Sequence, residues 1–378
     1  MTLENLFFLR DVYQMNPRVH TLLALTLIEN LGPTKLQALL VKKGSPKSVL
    51  DMYCRGVRKD VLSKATEIQE SVKKLGGRVV SFHCREYPEL LKQISDPPAV
   101  IYVKGTIPNE IKRSIAVVGT RMCSPEGKRF AELTVNHMAD QNWPLVSGLA
   151  KGIDAAAHNA ALSKGLPSVA VLAHGLERIH PCCNVSLANQ IIKHGGAWIT
   201  EHPPGTKVLK WMFAARNRIL VGICQATVLA ESPEKGGSMI SLKLALSYNR
   251  GTYSFQPPNA YNSRWNGNRY IIAQNPKNAI KTIPSWHNQL LQESNDMRRN
   301  KKDQARATSV SKTAIEEGLK RVPTPCRPVY QQLSQDGRSI LEISRATRTD
   351  ITVVRTRLFI LESLEMVKRE PGDCYSRV

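Results

Sequence analysis

Residues 146–158 read VSGLAKGIDAAAH. A short apolar approach runs into Ser147-Gly148, then Lys151-Gly152, then alanines dense enough to form a helix. A glycine turn between a strand and a helix lets a ligand approach the backbone, and helix N-termini favour anions. Three further tracts carry matching chemistry. Gly119-Thr120-Arg121 closes the apolar run SIAVVG. EHPPGTKVLKWMFAARNR, over 201–218, brings Lys207, Lys210, Trp211, Phe213, Arg216, Asn217 and Arg218. Lys235-Gly236-Gly237-Ser238 follows the run ending at Glu231. Amides and cations suit phosphate oxygens. Aromatic rings suit bases that no complementary strand covers.

Two other chemistries fit less well. A dinucleotide site needs GxGxxG after its first strand and an acidic residue about 20 positions on. The turn here is GTRMCSP, without the second and third glycines. Asp154, His158 and Glu201 are the obvious catalytic candidates, and none has a partner at interpretable spacing. Asp154 beside a glycine turn reads as a supporting hydrogen-bonder, and His158 on an alanine helix as a packed histidine. Ser147 and Ser238 lack an activating arrangement. The eight cysteines include no CxxC pair and no histidine at metal spacing. No catalytic residue, metal or cofactor is therefore expected.

Positioning these tracts requires a particular scaffold. From Ser114 onward, apolar strands alternate with amphipathic helices. SIAVVG, PLVSG, SVAVLA, AWIT, ATVLAE and TYSFQ read as strands. The helix after the first strand places Gly127, Phe130, Ala131, Thr134, Val135 and Met138 on one face, with Ser124-Pro125 as its start. Strands apolar on both faces imply a doubly wound parallel sheet, an open α/β domain. Ligands in such sheets sit beyond the carboxyl ends of the strands. All four tracts lie there.

The flanks differ. Residues 1–95 read as a helical domain, and Leu31-Gly32-Pro33 suits either a helix-hairpin-helix turn or a plain helical hairpin. The α/β domain spans 96–290 and a polar, basic linker 291–322. Residues 323–378 suggest short helices and a strand-turn-strand, either winged-helix-like or a small protein-interaction domain.

The net charge of +22 implies a polyanionic partner, nucleic acid or an anionic membrane. No run approaches the roughly 20 apolar residues of a membrane span, and MTLENLFFLRDVYQ lacks a signal pattern. A cytoplasmic location is expected. Residues 106–290 carry 20 basic and 9 acidic side chains, half of the net excess, so the anion-binding surface belongs there.

IAVVGTR, VSGLAKGIDAAAH, GLERIHP, FAARNR and GGSMIS, in that order, resemble the DNA-processing protein A family, DprA or Smf. The resemblance covers about Ser114 to Phe255. It implies an extended Rossmann-like sheet, single-stranded DNA binding, a homodimer, and loading of the RecA recombinase during natural transformation. It assigns Arg121 to backbone phosphate, Gly148, Lys151 and Gly152 to the neighbouring phosphate turn, and Lys210 to a further phosphate. Phe213 stacks a base, and Arg216 and Asn217 complete the pocket wall. Gly119, Thr120, Ser147, Lys207, Gly237 and Ser238 join this DNA-binding set from the strand-end tracts themselves. Ala173-His174-Gly175 and Phe255-Gln256-Pro257-Pro258 depart from the family pattern. The competing expectation is a nucleotide-sensing Rossmann-like protein or a nucleoside-phosphate hydrolase. Such hydrolases carry PGGxGT followed by a catalytic glutamate, whereas EKGGSMISLKL has no glutamate after its glycines.

Overall fold

A computed structural model describes residues 17–53, 58–257, 262–282, 286, 322–333, 337–364, 366–370 and 373–377. The chain divides into two compact units, Met1–Asn288 and Gln289–Val378. The expected linker lies outside the described residues, Val322 apart. Among the described residues no helix is long and apolar enough to cross a membrane.

Among the described residues, the first unit begins with α1 (Pro17–Thr26), α2 (Pro33–Lys43), α3 (Pro46–Tyr53) and α4 (Arg58–Lys74). A nine-stranded sheet follows. Its strands are β1 (Gly77–Ser81), β2 (Val100–Gly105), β3 (Ile115–Val118), β4 (Leu145–Ser147), β5 (Ser168–Val171), β6 (Ala197–Thr200), β7 (Ala226–Leu229), β8 (Gly251–Phe255) and β9 (Ala279–Ile280). Their order is β1-β2-β6-β5-β4-β3-β7-β8-β9. From β3 to β9 every pairing is parallel, as the apolar runs imply.

The edge departs from an all-parallel sheet. β1 pairs antiparallel with β2, and β2 antiparallel with β6. The segment between β1 and β2 holds only the 3₁₀ turn Leu91–Gln93, whereas a parallel pairing needs a long crossover, usually a helix. This pairing also spans the boundary drawn at residue 95, so the N-terminal helices and the sheet lie in one unit.

Helices α5 (Pro125–Asp140), α6 (Ile153–Ser163), α7 (Val185–Lys193), α8 (Lys210–Ala215), α9 (Asn217–Ile223), α10 (Gly237–Ser247) and α11 (Asn266–Gln274) fill the connections. The side chain of Ser124 accepts from the Gly127 amide at 3.1 Å, with Pro125 in the first turn, as the sequence of α5 predicts. Two cores sandwich the sheet. One joins Val103, Val146 and Ile199 to Leu220 of α9 and Leu242 of α10. The other joins Tyr102, Ala170 and Trp198 to Leu22, Leu25 and Leu50 of the N-terminal helices.

The chain runs from β3 out to β6 on one side, then returns to β7 on the other. The carboxyl ends of β3 and β7 therefore flank the point where strand order reverses, the crevice that α/β sheets offer to ligands.

The second unit contains α12 (Arg327–Gln331), α13 (Ile340–Thr347) and α14 (Ile351–Ser363) with β10 (Arg338–Ser339), β11 (Val367–Glu370) and β12 (Cys374–Arg377). Its antiparallel sheet has the order β10-β12-β11. Val329, Ile343, Val354, Leu358 and Leu361 form its core. Ser339 and Glu342 make a reciprocal capping box at the start of α13.

Candidate nucleic-acid interface

The turns after β3 and β4 are laced together. The Thr120 carbonyl accepts from the Ile153 amide at 3.2 Å, and the Thr120 amide donates to the Glu231 carbonyl at 2.8 Å. Gly152 has φ +76°, and a Cβ there would lie 2.3 Å from the Thr120 oxygen. Glycine is required on both counts. Gly119 sits at the same junction, between Ile153 and the Glu231 carbonyl.

Two amides of the VSGLAKG turn are aimed inward. Those of Gly148 and Ala150 donate to Asp154 Oδ2 at 3.2 and 3.3 Å. The Ser147 hydroxyl donates to the Val117 carbonyl at 2.7 Å and is fully buried. Asn184 Nδ2 donates to the Leu149 carbonyl at 2.9 Å and to that of Ala150 at 3.2 Å. An internal carboxylate and an internal amide thus hold the loop shape. Among 147–152, only Lys151 is exposed.

Beneath this turn lies Arg216. Its side chain donates to the carbonyls of Gly148, at 2.8 Å, and Val171, and to Asn217 Oδ1 at 3.2 Å. Arg216 is 6 % exposed, and its guanidinium fills the space a Gly148 Cβ would need. Arg216 and Asn217, expected to complete the pocket wall, are both buried here, with Arg216 holding the turn from within and Asn217 Oδ1 accepting from Arg216. Burial lowers the Arg216 pKa to about 10, with Asp154 opposing the shift and Arg121 adding to it. It therefore keeps its charge at neutral pH. Burial likewise raises the Asp154 carboxyl, against the opposing pull of Arg216 and the two amides.

The outward face differs in character. Arg121 is exposed, and its guanidinium stands 5.9 Å from the centre of the Phe213 ring. Phe213 is half-buried, with its other edge-to-face contact to His180 at 5.4 Å. Lys207 and Lys210 are exposed on the approach to α8. Arg218 instead turns inward, paired with Glu201 and Asp96. Of the sequence-predicted residues, the structure therefore brings Gly119, Thr120, Arg121, Gly148, Lys151, Gly152 and Phe213 to one end of the sheet, over Arg216. Gly237 and Ser238 lie at the start of α10. Gly237 is exposed, while the Ser238 hydroxyl is spent on Ser232 at 2.7 Å.

Three residues with structural weight carry no sequence signal of their own. Glu231 is fully buried, and its Oε2 accepts from the Ser124 amide at 2.7 Å and hydroxyl at 2.8 Å. An internal carboxylate thus occupies the N-terminus of α5. His174, within the divergent Ala173-His174-Gly175 loop, accepts the His180 amide on Nε2 at 3.1 Å and ties that loop together. Phe255, in the other divergent tract, stacks on Phe130 at 4.3 Å, so this ring belongs to the core.

His158 is packed, as its alanine-rich surroundings imply. It is fully buried, with Nδ1 3.2 Å from the Ser168 hydroxyl. Burial, and secondarily the charge of Arg216, lowers its pKa to about 3. An unfolded histidine titrates near 6.5, so the unfolded chain binds the proton first as pH falls. The His158 contribution is intact above about pH 6.5 and is lost on acidification towards pH 3, at about 1.4 kcal/mol per pH unit. Urea melts at neutral and acidic pH should give the parent this extra slope and His158→Leu none of it. Equal slopes would mean that His158 is not held neutral.

Fold and rim together define an open α/β protein with cations and an aromatic ring at the switch end of its sheet. The DNA recombination-mediator protein A family matches residues 78–290. The chain belongs to that family, also called DprA or Smf. Protein Smf of Synechocystis is 30 % identical over 314 residues, covering 77 % of this chain and 78 % of that protein. The DNA processing protein DprA of Bacillus subtilis is 34 % identical over 192 residues, half of this chain and 64 % of its own length, so that match spans less than two thirds of the relative. The solved structure of DprA from Streptococcus pneumoniae superposes with a TM-score of 0.59 at 26 % identity, covering 72 % of this chain and 96 % of that one.

Proposed function

We propose that this chain binds single-stranded DNA along the rim formed by Arg121, Lys151, Lys207, Lys210 and Phe213. It acts there as a recombination mediator that protects incoming strands and loads the RecA recombinase during natural transformation, as a homodimer in the cytoplasm. The observation that carries the DNA reading is the pairing of an exposed arginine with a half-buried ring, Arg121 on Phe213. Such a pair offers one face to a phosphate and one to a base. The winged-helix reading of 323–378 belongs to the same proposal, and its helices and antiparallel sheet fit it.

One observation weighs against the mononucleotide alternative. In nucleotide-binding Rossmann folds the phosphate sits at the N-terminus of the helix after the first strand. Here the Glu231 carboxylate takes that place at α5. An anion brought there would meet the buried Glu231 carboxylate, which already takes the Ser124 amide and hydroxyl and lies 3.7 Å from the Arg264 guanidinium.

Labelled oligonucleotides, single-stranded and duplex, titrated across a salt series test the proposal. Single strand should bind more tightly at every salt concentration, because a base already stacked in a duplex gains nothing from Phe213. Its log affinity should fall linearly with log salt, by about 0.7 per neutralised phosphate. Equal affinity for duplex of matched length, or displacement by a free mononucleotide at comparable concentration, would overturn it.

A further inference from the structure

We propose that Trp211 is a second base-stacking platform, met by the strand as it leaves Phe213. This rests on the single-stranded DNA reading above and adds a contact to it. Four of the five tryptophans are buried: Trp143 at 6 %, Trp198 at 4 %, Trp265 at 2 % and Trp286 at 1 % exposure. Trp211 is 61 % exposed. No ring or cation of the described residues pairs with it.

Its surroundings decide what would cover it. Residues 202–215 contain Lys207 and Lys210 and no aspartate or glutamate, while Arg216 and Arg218 beyond them are turned inward toward Asp154, Glu201 and Asp96. Lys207 and Lys210, four and one positions before Trp211 in the chain, are exposed, as is the apolar Leu209. On the neighbouring Arg121 loop, Met122 is 80 % exposed. An indole among uncompensated cations suits a polyanion that carries flat rings. Stacking is indifferent to base identity, since every base has a π face.

The geometry of α8 sets the order of contacts. Met212 is buried, and its neighbours on either side project about 100° away from it in opposite senses. Phe213 therefore emerges on one flank, against Arg121 and His180, and Trp211 on the other, in solvent. A strand seated on Phe213 that crosses α8 reaches Trp211 next, with Lys207 and Lys210 beside its phosphates.

Trp211 is the one tryptophan that aqueous iodide can reach, so iodide quenching of the full chain reads this residue. An end-labelled oligothymidylate and an abasic strand of the same length are titrated in, with label anisotropy and tryptophan emission followed together. Oligothymidylate should raise anisotropy, quench emission and shield Trp211 from iodide. The abasic strand should bind more weakly and leave Trp211 open to iodide. Trp211→Ala should lose about tenfold in oligothymidylate affinity with an unchanged salt slope, and Trp211→Phe should recover most of it. At 61 % exposure neither substitution threatens the fold.

Four results would overturn the inference. Binding by anisotropy with unaltered iodide access, and parent affinity in Trp211→Ala, would leave the DNA reading standing without Trp211. Equal shielding by the abasic strand would replace stacking with mere proximity. Parent DNA affinity in Trp211→Ala, combined with lost RecA-dependent strand exchange, would assign the ring to a protein contact. No anisotropy change with any strand would remove the underlying DNA reading as well.

Discussion

Arg216→Met should lower the stability of the α/β unit by about 1–3 kcal/mol for each buried carbonyl left without its donor. The residue is 6 % exposed and holds the carbonyls of Gly148 and Val171. Methionine fills much of the volume but offers neither carbonyl a donor. It also leaves the Asp154 carboxyl buried without its counter-charge. Asp154→Asn costs less, because an amide oxygen still accepts from Gly148 and Ala150. Combining the two substitutions should therefore recover part of the Arg216→Met loss, the non-additivity expected of groups in one network. Urea melts of the parent, both single variants and the double variant measure this coupling. Parent-like stability in Arg216→Met, with DNA binding abolished, would return Arg216 to the binding surface.

Arg216 also marks where sequence reasoning stops. FAARNR announces two arginines and an amide close to an aromatic ring, and the charge is real. Depth is not encoded in residue type. The chain passes from α8 to α9 at Arg216-Asn217, where the Arg216 side chain runs under the glycine loop and both residues are buried. The serines behave likewise. Ser147 and Ser238 stand at glycine turns, yet both hydroxyls are consumed, by Val117 and Ser232.

The strands from β3 to β8 were legible because burial on both faces demands continuous apolar runs, and each run is bounded by glycine or polar residues. Strand direction at the β1–β2 edge was not. A short apolar run reads the same in either orientation, and only the pairing decides it. The site was legible in kind rather than in layout. Arg121 and Phe213 lie 92 positions apart, and their contact depends on β6 and β3 ending at the same edge. Glu231 at the start of α5 is likewise a product of β7 lying beside β3.

That contact separates two kinds of binding energy. Arg121→Ala should weaken every single-stranded oligonucleotide, whatever its sequence, and reduce the salt slope by about one phosphate contact. The exposed side chain leaves the fold intact, since its loss uncovers no buried charge. Phe213→Ala should cost about 1–3 kcal/mol of binding, roughly 5- to 150-fold, with the salt slope almost unchanged. The ring carries no charge, so its removal releases no counterions. The same variant frees the faces of Arg121 and His180 that now contact the ring. Phe213→Tyr, which keeps the ring, should restore most of the affinity. Fluorescence anisotropy at four or more salt concentrations resolves slope from intercept for each variant. Equal slope changes in Arg121→Ala and Phe213→Ala would mean that both act through charge, and the assignment of Phe213 to a base would fall.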